Sequence, residues 1–219
     1  MKTTIVYDNT AYREDLQADW GFSALVEAGG RRILFDTGAN GAVLLSNMGK
    51  LNIDPHTIED VFISHGHWDH IGGLSAFLVQ NNKVRVWVPR SLRGIKNAAE
   101  VTDIQNATTL YDGIHSTGEL EGIEQSLCIE TSKGIVIVAG CSHPKMAHII
   151  NAASEFGSVY GIIGGLHGNG PESLRGLGLI CPTHCAQYKR EIKALYPEQY
   201  IEGGAGRVIE VVDIHESAM

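Results

Sequence analysis

Short apolar runs broken by Gly, Asn and Asp open the chain. Residues 3–8, 22–28 and 32–36 are strand-like. Gly29-Gly30, between the second and third runs, is a two-residue hairpin signal. Apolar Val43, Leu44, Met48 and Leu51 recur near helical spacing and predict a helix over 41–51. A strand over 61–64, a turn and a helix over 69–80 follow, then a strand over 84–88. Ser91 is placed to cap a short helix over 92–99. Residues 102–127 hold several short strands, and 129–131 with 135–139 flank Ser132-Lys133-Gly134 as another hairpin. A helix over 145–156, strands over 159–163 and 179–181, a helix over 187–195 and a strand over 207–212 complete the pattern. Strands early and late with helices between them predict an α/β chain. Two β-sheets pack together under outer helices, as one domain of residues 1–219.

Composition narrows this picture. Hydrophobic residues are 43% of 219, enough for a substantial core, and there is no low-complexity tract or Pro-rich linker. Seventeen Lys and Arg against 25 Asp and Glu give −8. An acidic chain lacks the electrostatic footprint of a general nucleic-acid binder, so no nucleic-acid partner is expected. No apolar run approaches the roughly 18 residues of a membrane helix, so no membrane partner is expected either. The first residues show no signal-peptide pattern, and a cytoplasmic location is expected. Cys128, Cys141, Cys181 and Cys185 form no CxxC pair and are read as packing residues. Ten histidines are the unusual count.

Directly after the strand over 61–64 comes Ser64-His65-Gly66-His67-Trp68-Asp69-His70, an H-x-H-x-D-H pattern. Imidazole and carboxylate together suit Zn(II), Mn(II) or Fe(II). In an extended loop His65 and His67 point to one side and can chelate one ion. Asp69 and His70, where the chain turns into a helix, can face a second ion. Asp69 alone would serve equally as a helix N-cap, and any one of these histidines alone would be unremarkable. A pair of ions needs more ligands than one loop supplies. His143, His167 and His184 lie just past the ends of apolar runs, where strand-end loops build sites. His56, His115, His148 and His215 have no supporting spacing and are read as surface residues. Trp68 is placed to line a pocket mouth or to pack, and Gly203-Gly204-Ala205-Gly206 to make a tight turn near the site.

These pieces, with Leu34-Phe35-Asp36-Thr37-Gly38, the GCSHP around His143, the GGLH ending at His167 and the PTHC around His184, resemble the metallo-β-lactamase-fold hydrolase superfamily. Within it the chain looks most like the branch of dihydropterin-ribofuranosylaminobenzene-phosphate synthases. The resemblance implies a four-layer αβ/βα sandwich with two divalent metal ions at one edge, Zn(II) before Mn(II) or Fe(II). It implies His65, His67 and His143 on the first ion and Asp69, His70 and His184 on the second. Asp36 would orient ligands by hydrogen bonding. Superfamily hydrolases carry a bridging Asp between the last two His motifs. Here Leu166-His167 takes that place, and no Asp lies between Asp112 and Asp213. His167 would then bind one metal terminally, support a ligand or donate a proton. Metal-bound water is acidified towards neutral pH. The expected activity is therefore hydrolysis of a small anionic or phosphorylated ester or phosphodiester, with Asp69 orienting the nucleophile. The branch implies a rival, condensation of a dihydropterin with a phosphoribosyl aminobenzene. A non-catalytic metal-binding module is the third reading.

Overall fold

Two-residue alternation of inward and outward side chains, broken at a bulge in the first strand, sorts the strands into two packed sheets. The computed structural model describes residues 1–211. The first half contains β1 (Lys2–Tyr7), β2 (Ser23–Ala28), β3 (Arg31–Phe35), α1 (Gly41–Lys50), β4 (Asp60–Phe62), α2 (Trp68–Ile71), α3 (Leu74–Gln80), β5 (Arg85–Pro89) and β6 (Glu100–Ile104). The second contains β7 (Asn106–Tyr111), β8 (Ile114–Gly118), β9 (Leu127–Thr131), β10 (Gly134–Ala139), α4 (Met146–Ala153), β11 (Val159–Gly165), β12 (Leu179–Thr183), α5 (Lys189–Leu195) and β13 (Val208–Glu210). Seven strands form one sheet in the order β13-β1-β2-β3-β4-β5-β6, and six form the other in the order β12-β11-β10-β9-β8-β7.

On β3, Ile33 and Phe35 face the other sheet while Leu34 faces the helices. On β10, Val136 and Val138 face inward while Ile135, Ile137 and Ala139 face outward. Phe35 and Phe62 stack with ring centroids 5.5 Å apart in the layer between sheets. Leu44 and Met48 of α1 and Phe77 of α3 cover the first sheet. Ile149 of α4 and Ile192 of α5 cover the second. The result is the four-layer αβ/βα sandwich.

Strands β3, β4, β5 and β6 run parallel, as do β10, β11 and β12. Their carboxyl ends deliver the loops that bear Asp36, Ser64 to His70, His143, His167 and His184. Strands β11 and β12 each run two residues beyond their predicted ends.

Two predicted helices differ. The helix over 69–80 is split, because Gly72 and Gly73 press against the 37–39 loop. An added Cβ would lie 2.1 Å from the Ala39 carbonyl oxygen at Gly72 and 2.2 Å from that of Thr37 at Gly73. No helix forms over 92–99. Gly94 and Asn97 take left-handed conformations (φ 87° and 67°) that end any helical run. Leu92, Ile95 and Ala98 still pack on the first sheet's outer core. The predicted strand over 207–212 is β13, with Val212 outside the described residues. Among the described residues, no helix is long and apolar enough to cross a membrane.

Candidate metal centre

The 36–38 turn anchors the site. Asp36, at φ 50°, is fully buried and accepts three hydrogen bonds. The Ser64 backbone N–H reaches Oδ1 at 2.7 Å, while Ser64 Oγ and His70 Nδ1 reach Oδ2 at 2.7 Å each. Because Ser64 Oγ donates to Asp36, it accepts from His65 Nδ1 at 2.9 Å. Both rings therefore carry their proton on Nδ1 and aim the Nε2 lone pair inward. Thr37 fixes the α2 end by donating its N–H and Oγ to the His70 carbonyl, at 2.7 and 2.9 Å.

The last ligand loop is set the same way. Asp8 Oδ1 accepts the His184 N–H at 2.7 Å, and Asn9 Oδ1 faces His184 Nδ1 at 2.9 Å. Asn9 also accepts from Gly21 N–H and donates to the His184 carbonyl, so its oxygen receives the imidazole proton. The glycine run closes over this region. Ala205 N–H donates to the Thr10 carbonyl, and Gly203 leaves no room for a Cβ beside Thr183. Glu124 holds the middle loop, accepting the backbone N–H groups of Cys141, Ser142 and His143 at 2.9, 3.0 and 2.9 Å. Trp20 donates its indole N–H to Asp69 Oδ2 at 2.9 Å.

Two triplets result. His67 Nδ1 lies 3.0 Å from His65 Nε2 and 3.2 Å from His143 Nε2. The donor atoms of Asp69, His70 and His184 likewise lie within 4.8 Å of one another. These are the groupings the sequence resemblance implied. His184 Nε2 is buried, has no hydrogen-bond partner among the described residues, and stands 3.3 Å from Asp69 Oδ2. Imidazole lone pairs facing one another and an orphaned buried nitrogen beside a carboxylate fit divalent cations.

Electrostatics agree with that chemistry. Burial and then the neighbouring rings hold His65 well below the usual imidazole range. Burial, then His67, pushes His143 down to about 4. Burial, then His70, pushes His184 down to about 3. For His70 burial acts the same way, but the Asp36 carboxylate outweighs it and the net shift is upward. Burial thus favours the neutral ring at His65, His143 and His184.

His167 stands apart. It is exposed, at φ 44°, with its ring 4.9 Å from that of His143, and it belongs to neither triplet. Leu166 turns into the helix-side core of the second sheet. Cys141, read as packing, has Sγ 3.2 Å from His70 Nε2, and Cys185 Sγ approaches the Cys141 carbonyl at 3.7 Å. His115, read as a surface residue, is instead buried in β8. It contacts Thr109 Oγ1 at 2.9 Å and Glu130 Oε1 at 2.8 Å and stacks on Phe156. His56 and His148 are exposed, and His215 lies outside the described residues. Trp20 and Trp68 are 52% and 63% exposed, so neither is a core residue. Trp20 and Glu124 had no local signal, because their partners lie 49 and 17–19 positions away.

Comparison with known proteins gives the same picture. Over 94% of this chain and 95% of its relative, the sequence is 27% identical to the 7,8-dihydropterin-6-methyl-4-(beta-D-ribofuranosyl)-aminobenzene-5'-phosphate synthase of Methanocaldococcus jannaschii. The structure of Tm1679, a metal-dependent hydrolase of the beta-lactamase superfamily, superposes with a TM-score of 0.76 at 25% identity, covering 97% of this chain and all of that one. YhfI of Bacillus subtilis, a metallo-beta-lactamase fold protein, gives 0.69 at 14% identity, over 95% and 98% of the two chains. The family model of the metallo-beta-lactamase superfamily matches residues 20–184, a stretch that begins at Trp20 and ends at His184. The chain therefore belongs to the metallo-beta-lactamase superfamily.

Proposed function

We propose that this protein is a hydrolase that uses two divalent cations, Zn(II) by preference, on a small anionic or phosphorylated ester or phosphodiester. The observation that carries the reading is the buried Nε2 of His184, without a hydrogen bond among the described residues and 3.3 Å from Asp69 Oδ2, next to a second triplet of converging imidazoles. His65, His67 and His143 would hold one cation, and Asp69, His70 and His184 the other. Bound there, the cations would acidify a water molecule and polarise a carbonyl or phosphoryl oxygen.

The chain's own groups supply the rest. Trp20 holds one carboxylate oxygen of Asp69 and so orients the other. His167, exposed beside His143, is placed to give a proton to a departing group from its ring. Trp20, half-exposed with its ring 5.4 Å from that of His184, offers a face for a flat part of the substrate.

A second reading is the condensation of a dihydropterin with a phosphoribosyl aminobenzene. It is favoured by the 27% identity with the archaeal synthase along nearly its whole length. Elemental mass spectrometry on protein purified without added metal, paired with chromogenic phosphodiester and ester assays, tests the first reading. About two cations per chain with turnover supports it. Two cations, no hydrolysis and a coupled pterin product would transfer the assignment to the synthase. Absence of metal after reconstitution would leave a protein without metal chemistry.

A further inference from the structure

Cys141 sits where both triplets can reach it. Its sulfur shares one set with His65 and His70 and another with His184 and Cys185, all donor atoms in each set lying within 4.8 Å. It therefore neighbours His65 of the first triplet and His70 and His184 of the second. Cys141 is 4% exposed, and the buried Nε2 of His184, without a hydrogen bond among the described residues, belongs to the same cluster.

Charge and lone pairs make the sulfur distinctive. The two triplets contribute five imidazoles and one carboxylate, a single negative charge against two divalent cations. Other buried carboxylates nearby are committed elsewhere. Glu124 gives both oxygens to backbone N–H groups, and Asp36 gives both to Ser64 and His70. An imidazole nitrogen has one lone pair, whereas a thiolate sulfur has three and can bind two cations at once. A cation also removes the thiol proton outright, releasing it to solvent.

We propose that Cys141 is a metal ligand whose thiolate is shared by the two cations, in the role a bridging carboxylate would otherwise fill. The inference rests on the two-cation reading above. It also gives the missing Asp a physical replacement that His167, outside both triplets, does not provide.

Cobalt substitution tests it. The Co(II)-loaded wild type and Cys185→Ala should both show an intense near-ultraviolet sulfur-to-cobalt charge-transfer band. Cys141→Ser should lose the band and bind its second cobalt at least tenfold more weakly. X-ray absorption of the zinc-loaded wild type and of Cys185→Ala should show a sulfur neighbour at about 2.3 Å, which decides the matter even if Cys141→Ser fails to fold. Two bound cobalt ions with visible d–d bands, but no charge-transfer band and no sulfur neighbour, would overturn the thiolate ligand and leave the two-cation reading standing. Loss of the band in Cys185→Ala instead of Cys141→Ser would also overturn it. Failure to bind cobalt or zinc at all would overturn both.

Discussion

The rings of His65, His70 and His184 are each aimed by a partner on the far side, Ser64, Asp36 and Asn9, so single side chains divide into those placed to bind and those that aim. His67 is the exposed member of its triplet, and removing its ring opens no cavity. His67→Ala is expected to cut kcat/KM by about a hundredfold or more while circular dichroism and Tm stay near wild type. Wild-type turnover in that variant would remove the triplet from the mechanism. The depressed imidazoles make a second prediction, for metal-free protein. His143 and His184 take up protons near pH 6.5 when unfolded but only near 4 and 3 when folded. Between those values the unfolded state binds more protons, so stability falls as pH drops below about 6.5. Urea unfolding from pH 7.5 to 4.5 checks this, and a flat profile would contradict it. The histidine loop was legible in sequence because its members are adjacent. Glu124 and Trp20 were not, because each acts on a residue brought near only by folding.

At the level of elements, the strands were the most legible part, since alternation of apolar positions is local and strong. Their extra residues were not. The last two residues of β11 are glycines and those of β12 are Pro182 and Thr183, which look like loops, although sheet pairing carries the strands through Gly165 and Thr183. The helix after the histidine loop shows the opposite failure. Its apolar spacing continues across Gly72 and Gly73, but contact with the 37–39 loop breaks it and aligns the Asp69–His70 segment with Asp36. Gly73→Ala is expected to destabilise the protein by about 2–3 kcal/mol in denaturant unfolding, because the new methyl would meet a backbone oxygen that cannot retreat. A change below 0.5 kcal/mol would mean the loop yields freely.

Across the whole molecule, the two sheets meet through apolar layers in their middle and through polar ligands at one edge. Asp69 and His70 come from the first half of the chain, and His143 and His184 from the second. Cations held between them would clip the halves together. Zinc at a hundredfold excess over the Kd of a site is expected to raise the unfolding free energy by about 2.7 kcal/mol for each site filled, and a chelator to reverse it, as followed by calorimetry. A Tm indifferent to both would separate the cluster from metal binding. Asp36, Ser142, His167 and His184 all hold left-handed backbone conformations, at φ 50°, 57°, 44° and 46°. Non-glycine residues in that region cost of order 1 kcal/mol each. Glycine at exposed His167 would relax that turn at the expense of its imidazole, whereas glycine at Asp36, Ser142 or His184 would also strip buried hydrogen bonds worth more than the strain. A laboratory selection for heat resistance alone would therefore replace His167 before any of the buried three, and return a hardier protein without that exposed imidazole.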